Sequence, residues 1–235
     1  METNKQHSNI ELKGQQTIGI KKIKVLLLCG LLYSIIYVIT DITASMMWES
    51  YSYTSQGVSE LSAIGSPTRT FILVFFTICN LLMVAFGIGV WKTDIRNKKL
   101  RLTGILLFGF GIAGLVTIYF FPVSLRGEAL TLKDIMHIII TMIGVVSILL
   151  SIVLGAMSLS KQFRLYSIVT ILILMVCAVL GFSYAPLIDA NQPTPGLGII
   201  ERINIYGTLL WISILSIVLF QKLSTQNSIK INMKK

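Results

Sequence analysis

The sequence predicts an all-α fold: a polytopic transmembrane six-helix bundle with both termini cytoplasmic. Three observations predict it. Residues 25–44, 70–91, 103–121, 136–159, 165–185 and 203–220 are each apolar and long enough to cross a bilayer, or nearly so. The chain of 235 residues is 54% hydrophobic and 13% charged, with a mean hydropathy of +0.79, which excludes a soluble globule. The polar loops between the apolar stretches sort by charge. Sixteen Lys and Arg fall in the two tails and in loops 92–101 and 160–164, and only Arg69, Arg126, Lys133 and Arg202 fall in the other three loops. The positive-inside rule then places both termini in the cytoplasm, and an even number of spans agrees.

The first span follows a polar stretch with Lys13, Lys21, Lys22 and Lys24, like the basic region of a signal sequence. No small-x-small cleavage site follows, and the apolar run is long and ends in Asp41. It reads as an uncleaved helix. Residues 1–20 read as a disordered tail, 21–221 as one membrane domain and 222–235 as a basic tail. The loop over residues 45–69 is the longest, and its Trp48, Tyr51 and Tyr53 suit an interfacial aromatic belt. Within it, residues 56–64 are expected to form a re-entrant or interfacial helix, stopped by Gly65-Ser66-Pro67. Lipid cannot satisfy such a backbone, so protein or water must.

Spans two and three carry Gly-x-Gly at 87–89 and 109–111, and Gly109, Gly111 and Gly114 are expected to serve helix packing. No strand precedes these glycines, so a dinucleotide loop is excluded. Before span four stand Phe121-Pro122 and Arg126-Gly127-Glu128, then Asp134 and His137, which share a helix face. After span five come Pro186, Pro193, Pro195, Gly196 and Gly198, and span six is headed by Glu201-Arg202-Ile203-Asn204. The three cysteines, Cys29, Cys79 and Cys177, all lie inside spans and read as small buried hydrophobes.

The net charge of +10 sits beside the spans and forms no separate basic domain, which argues for topology and lipid headgroups over nucleic acid. Seven of the ten acids take the outer side. Acids set topology weakly, so this bias points to a polar cavity at the outer leaflet. Its expected acid/base is His137, oriented by Asp134, with Glu60 or Glu201 as a second carboxylate. Read alone, His137 also fits an interfacial histidine bonded to a loop carbonyl. Ser59, Arg69, Arg126, Arg202 and Asn204 are the expected ligand-binding residues, the arginines toward phosphate. Arg202 is a cation at the positive end of a helix dipole and needs an anionic partner. Glu60 or Asp134 is expected, with a lipid phosphate as the alternative. With two histidines in the chain, a multi-histidine zinc site is excluded; no metal and no cofactor is expected. No Walker, G-x-S-x-G or H-E-x-x-H motif occurs.

The stretch Ser59-Glu60-Leu61-Ser62-Ala63-Ile64-Gly65-Ser66-Pro67-Thr68-Arg69, with Phe121-Pro122, Arg126-Gly127, His137 and Glu201-Arg202-Ile203-Asn204, resembles a prokaryotic membrane family known as domain of unknown function 998. The resemblance runs from about residue 22 to 221 and implies a six-span architecture with no assigned activity. The chain is more distantly similar to the Frag1 and damage-regulated autophagy modulator superfamily. There Ser59, Glu60, Pro67, His137 and Glu201 match the loop before span two, the histidine of span four and the acid heading span six. Glu60 stands where an Asp is usual. That likeness implies lipid handling.

Three functions follow as expectations. The first is a plasma-membrane protein that binds or modifies an outer-leaflet lipid or amphiphile, with membrane lipid as its partner. The second is a small-solute or proton-coupled transporter, against which stand the charge-free span centres and the lack of an inverted repeat. The third is a non-catalytic accessory subunit. Whether the protein is an enzyme is left open by the sequence.

Overall fold

In the computed structural model, seven α-helices and one 3-10 turn follow in the order α1 (Glu2–Met47), the turn Val58–Ser62, α2 (Arg69–Thr93), α3 (Lys98–Phe120), α4 (Leu132–Ala156), α5 (Lys161–Phe182), the short α6 (Ala185–Asp189) and α7 (Leu197–Asn232). The structure describes the backbone of residues 2–232 and the side chains of residues 19–225 apart from Asp189. The expected tails over residues 1–20 and 222–235 lie mostly outside the residues described with side chains. Six helices, α1 to α5 and α7, are long and apolar enough to cross a membrane, so the chain is a multi-pass membrane protein.

Every spanning helix begins before its apolar stretch, while α3, α4 and α5 end one to three residues short of theirs, because local capping groups and not hydrocarbon alone set the helix ends. Asn97, Thr131 and Ser160 cap α3, α4 and α5 by accepting the backbone N–H of Leu100, Asp134 and Phe163. Span six was expected over residues 203–220, yet α7 begins at Leu197 and so takes Glu201 and Arg202 into its first turns.

Every spanning helix packs on its chain neighbour, and α7 returns to α1 and closes the ring. Between α1 and α7 the ladder is polar as well as apolar. Ser34 Oγ donates to Leu209 O at 2.9 Å and Ser216 Oγ donates to Leu27 O at 2.7 Å. Lipid gives helices no hydrophobic reason to associate, so such bonds and close packing hold them. Trp211, fully buried, donates Nε1–H to Ser167 Oγ at 3.0 Å and lies against Gly155, tying α7 to α5 and α4. The main core runs through Leu27, Met83, Phe86, Leu107, Ile152 and Leu215.

The loops over residues 48–68, 121–131 and 183–196 share one end of the bundle, here called the cap. The expected helix over residues 56–64 is a 3-10 turn, Val58–Ser62, with Val58, Glu60 and Leu61 buried. Its backbone is thus satisfied by protein. Ser66 Oγ and Thr68 Oγ1 both donate to Leu61 O, and Gly65, at φ +87°, reverses the chain toward α2. Ile64 N donates to Val123 O, which joins the first cap loop to the second.

Candidate functional site

The most buried charge on the cap is an ion pair. Arg202 Nε and Nη2 donate to the two oxygens of Asp41, each at 2.9 Å, with 3% and 0% of the residues exposed. The remaining donors of the guanidinium go to Tyr53 O, Gln56 O and Gly198 O and to the hydroxyls of Tyr51 and Ser45. Tyr206 OH donates to Asp41 Oδ2 at 2.6 Å and pairs with Tyr53 OH at 3.0 Å. The Tyr53 ring lies 3.6 Å from the guanidinium carbon. Burial pushes the Tyr51 phenol above its usual value, so it remains a neutral donor. Every donor of Arg202 is taken, so it cannot hold a phosphate here. The expected carboxylate partner is present, but it is Asp41 and neither Glu60 nor Asp134. Sequence spacing carried only the part of this signal that lies within each helix, not the pairing between them. Asp41 and Ser45, and Arg202 and Tyr206, are each four residues apart and share a helix face.

A second ion pair joins all three cap loops. Arg126 Nη2 donates to Glu60 Oε1 at 2.7 Å, and Arg126 Nη1 donates to Thr194 Oγ1 at 2.7 Å. Thr194 Oγ1 in turn donates to Ser55 O at 2.7 Å. Glu60 also receives Gly57 N–H at 3.0 Å and Gln56 Nε2–H at 2.8 Å. Glu201 reaches the next amide along: its Oε2 accepts Val58 N–H at 3.3 Å. Two carboxylates from separate elements therefore meet consecutive amides of one turn. A Cβ on Gly57 would sit 2.5 Å from Glu201 Oε2, so a larger residue there would displace the Glu201 carboxylate.

His137 is not part of this constellation. Its Nδ1–H donates to Phe121 O at 2.8 Å, which is the interfacial reading. Asp134 does not orient it. The buried Asp134 carboxylate accepts Ser124 N–H, Ser124 Oγ–H, Thr131 N–H and Thr131 Oγ1–H, so it fastens the second cap loop to the start of α4. The expected His137–Asp134 acid/base pair is not formed, because a reciprocal cap occupies Asp134. Thr131→Ala is expected to remove the cap, cost about 1 kcal/mol and speed amide exchange over residues 121–131 against an unchanged α7. Equal exchange in the two proteins would refute the capping role.

The other expected ligand residues disperse. Arg69 Nη1 donates to Ser62 O and makes no ion pair among the described residues. Ser59 receives Ser62 Oγ–H on its carbonyl. Asn204 faces α5, donating to Leu174 O at 3.2 Å, and not the cap. Thr194, Gln56, Tyr53 and Tyr206 complete the network although sequence reasoning had not placed them in the site. Apart from the local spacing of Tyr206 to Arg202 and of Gln56 to Glu60, only contacts across distant segments reveal them.

A family model described as protein of unknown function (DUF998) matches residues 31–218. The chain belongs to that family. The match takes in both ion pairs, so the DUF998 region holds the whole cap network. No curated protein and no solved structure matches the chain. The more distant likeness to Frag1 finds no support in these matches.

Proposed function

We propose that this protein binds an amphiphile at its cap and does not transform it. The cap faces outward from the plasma membrane, as the bias of basic residues toward the opposite end supports. Glu201 carries the reading. It is half-buried at the head of a spanning helix, and its neighbour Arg202 is turned wholly to Asp41. Among the described residues no cation pairs with Glu201, and its one hydrogen bond is from Val58 N–H. Glu60, on the preceding amide, is neutralised by Arg126.

An unneutralised carboxylate at membrane depth is costly. A ligand ammonium group would complete it, so the amphiphile is one with a cationic or zwitterionic head. The same geometry supports binding without chemistry. His137, the one imidazole described, has no carboxylate to orient it, and both arginines nearest the carboxylates are already paired.

The test is fluorescent phosphatidylethanolamine against matched phosphatidylglycerol, titrated onto protein in phosphatidylcholine nanodiscs. Glu201→Gln should weaken phosphatidylethanolamine binding by about tenfold, the value of one charge-assisted bond, and leave phosphatidylglycerol unchanged. Parent-like affinity in Glu201→Gln would sink the proposal. A second reading, an accessory subunit, is supported by the saturation of the Arg202 network, which makes the cap a preformed surface. Under that reading neither lipid binds selectively and Glu201→Gln changes nothing.

A further inference from the structure

Of the neighbours in the ring, α4 and α5 touch least. Positions seven apart return to nearly the same face of a helix. On α4 that face holds Ile152, Val145 and Ile138, and exposure rises along it from 0% to 39% to 51% toward the cap. The adjoining face repeats the trend, from buried Ile148 to exposed Thr141. On α5 no residue of the helix beyond Cys177 is buried, and Val179 and Phe182 are 67% and 72% exposed.

What packing the cap halves have is one-sided. Gly144 of α4 abuts Phe110 of α3, while Leu174 of α5 meets Gly207 and Asn204 of α7. At the opposite end the two helices close again. Arg164 Nε donates to Ala156 O, and Trp211 wedges between Gly155 and Ser167. Over the gap, the second and third cap loops meet. Gly127, at φ +89°, presses on the Asn191 side chain, and Arg126 bonds Thr194.

We infer that this gap is a lateral slot that takes one acyl chain of a phospholipid from the leaflet on the cap side. Its depth argues for a lipid chain. Ile138 to Ile148 rises about 15 Å, close to half of the roughly 30 Å hydrocarbon core. A partner helix would need a groove through both leaflets, lined by small residues. This one stops at the Trp211 wedge, and its walls are Ile138, Thr141 and Val145. Charged groups of both signs line the rim, which suits a zwitterionic head. Lys133 is exposed, and Arg126, paired with Glu60, keeps a buried Nε with no partner among the described residues. Of the described acids there, Asp134 is occupied by four donors, Glu60 is paired with Arg126, and Glu128 is exposed. The inference rests on amphiphile binding at the cap, but not on Glu201.

The experiment uses phosphatidylethanolamine with a diazirine in its acyl chain, photolysed on the full-length protein in nanodiscs, with adducts mapped by mass spectrometry. Adducts should concentrate on the Ile138–Val145 face and the cap third of α5. Val145→Trp fills the slot at an already exposed position and should cut these adducts by about tenfold, as if two chain methylenes were shut out. Val74→Trp, on the lipid side of α2, is the control and should leave them unchanged. Adducts spread evenly around the bundle would overturn the slot. So would a Val145→Trp protein that labels like its parent, or chain-to-chain crosslinks showing a second copy over α4 and α5. If Val145→Trp lowers labelling while Glu201→Gln does not, the slot stands and the ammonium reading falls. The reverse result removes the slot alone.

Discussion

Arg202→Ala is expected to unfasten the cap and destabilise the protein by about 3–5 kcal/mol, the range for removing one partner of a buried pair. Asp41 would be left as a buried anion with only the Tyr206 hydroxyl, and the carbonyls of Tyr53, Gln56 and Gly198 would each lose a donor. Loop 48–57 should then become a site of rapid proteolysis while the helices remain. Arg202→Lys should rescue only part of the loss. An ammonium can face Asp41, but it cannot make the two-pronged contact and reach the loop carbonyls at once. Replacing both partners, as Asp41→Leu with Arg202→Met, should recover more than Lys does for the helix pair and nothing for the loop. The readout is unfolding in mixed micelles, with limited proteolysis in parallel. An Arg202→Ala protein that unfolds with its parent and keeps its loop intact would show that the network only decorates the cap.

How much of this was legible depended on range. Six spans and their order followed from hydropathy, because a helix in lipid must satisfy its own backbone and so writes its length into sequence. Helix ends were less legible, since Thr131 and Ser160 cap through local polar bonds that hydropathy does not weigh. In the cap, the need for an anionic partner to Arg202 was legible from the helix dipole alone. Which carboxylate was not, because the choice depends on α7 closing the ring onto α1. His137 and Asp134 misled for a different reason. A shared helix face permits a pair, but Thr131, the N-cap three residues back, and Ser124, ten residues back in the second cap loop, donate to the Asp134 carboxylate instead.

The glycines of α2 and α3 give the second large expected effect. Gly-x-Gly spacing marks Gly87, Gly89, Gly109 and Gly111 as packing residues, but the structure divides them and adds Gly104. A Cβ on Gly87 would lie 2.8 Å from both Gly104 O and Phe108 Cα and closer still to Phe108 N. A Cβ on Gly104 would lie 2.7 Å from Gly87 O and Trp91 Cα. These are backbone atoms, so no rotamer relieves the clash and the helices must part. Gly87→Ala should therefore cost about 3 kcal/mol, the upper end for overpacking, because close approach is the main force between helices in lipid. Gly109 is the internal control. A Cβ there meets nothing within 4 Å. Gly109→Ala should be neutral or stabilise by about 0.5–1 kcal/mol through helix propensity. The same unfolding assay reads both. If the two variants shift alike, in either direction, the α2–α3 seam is not held by backbone contact and the close approach at Gly87 is not what joins these helices.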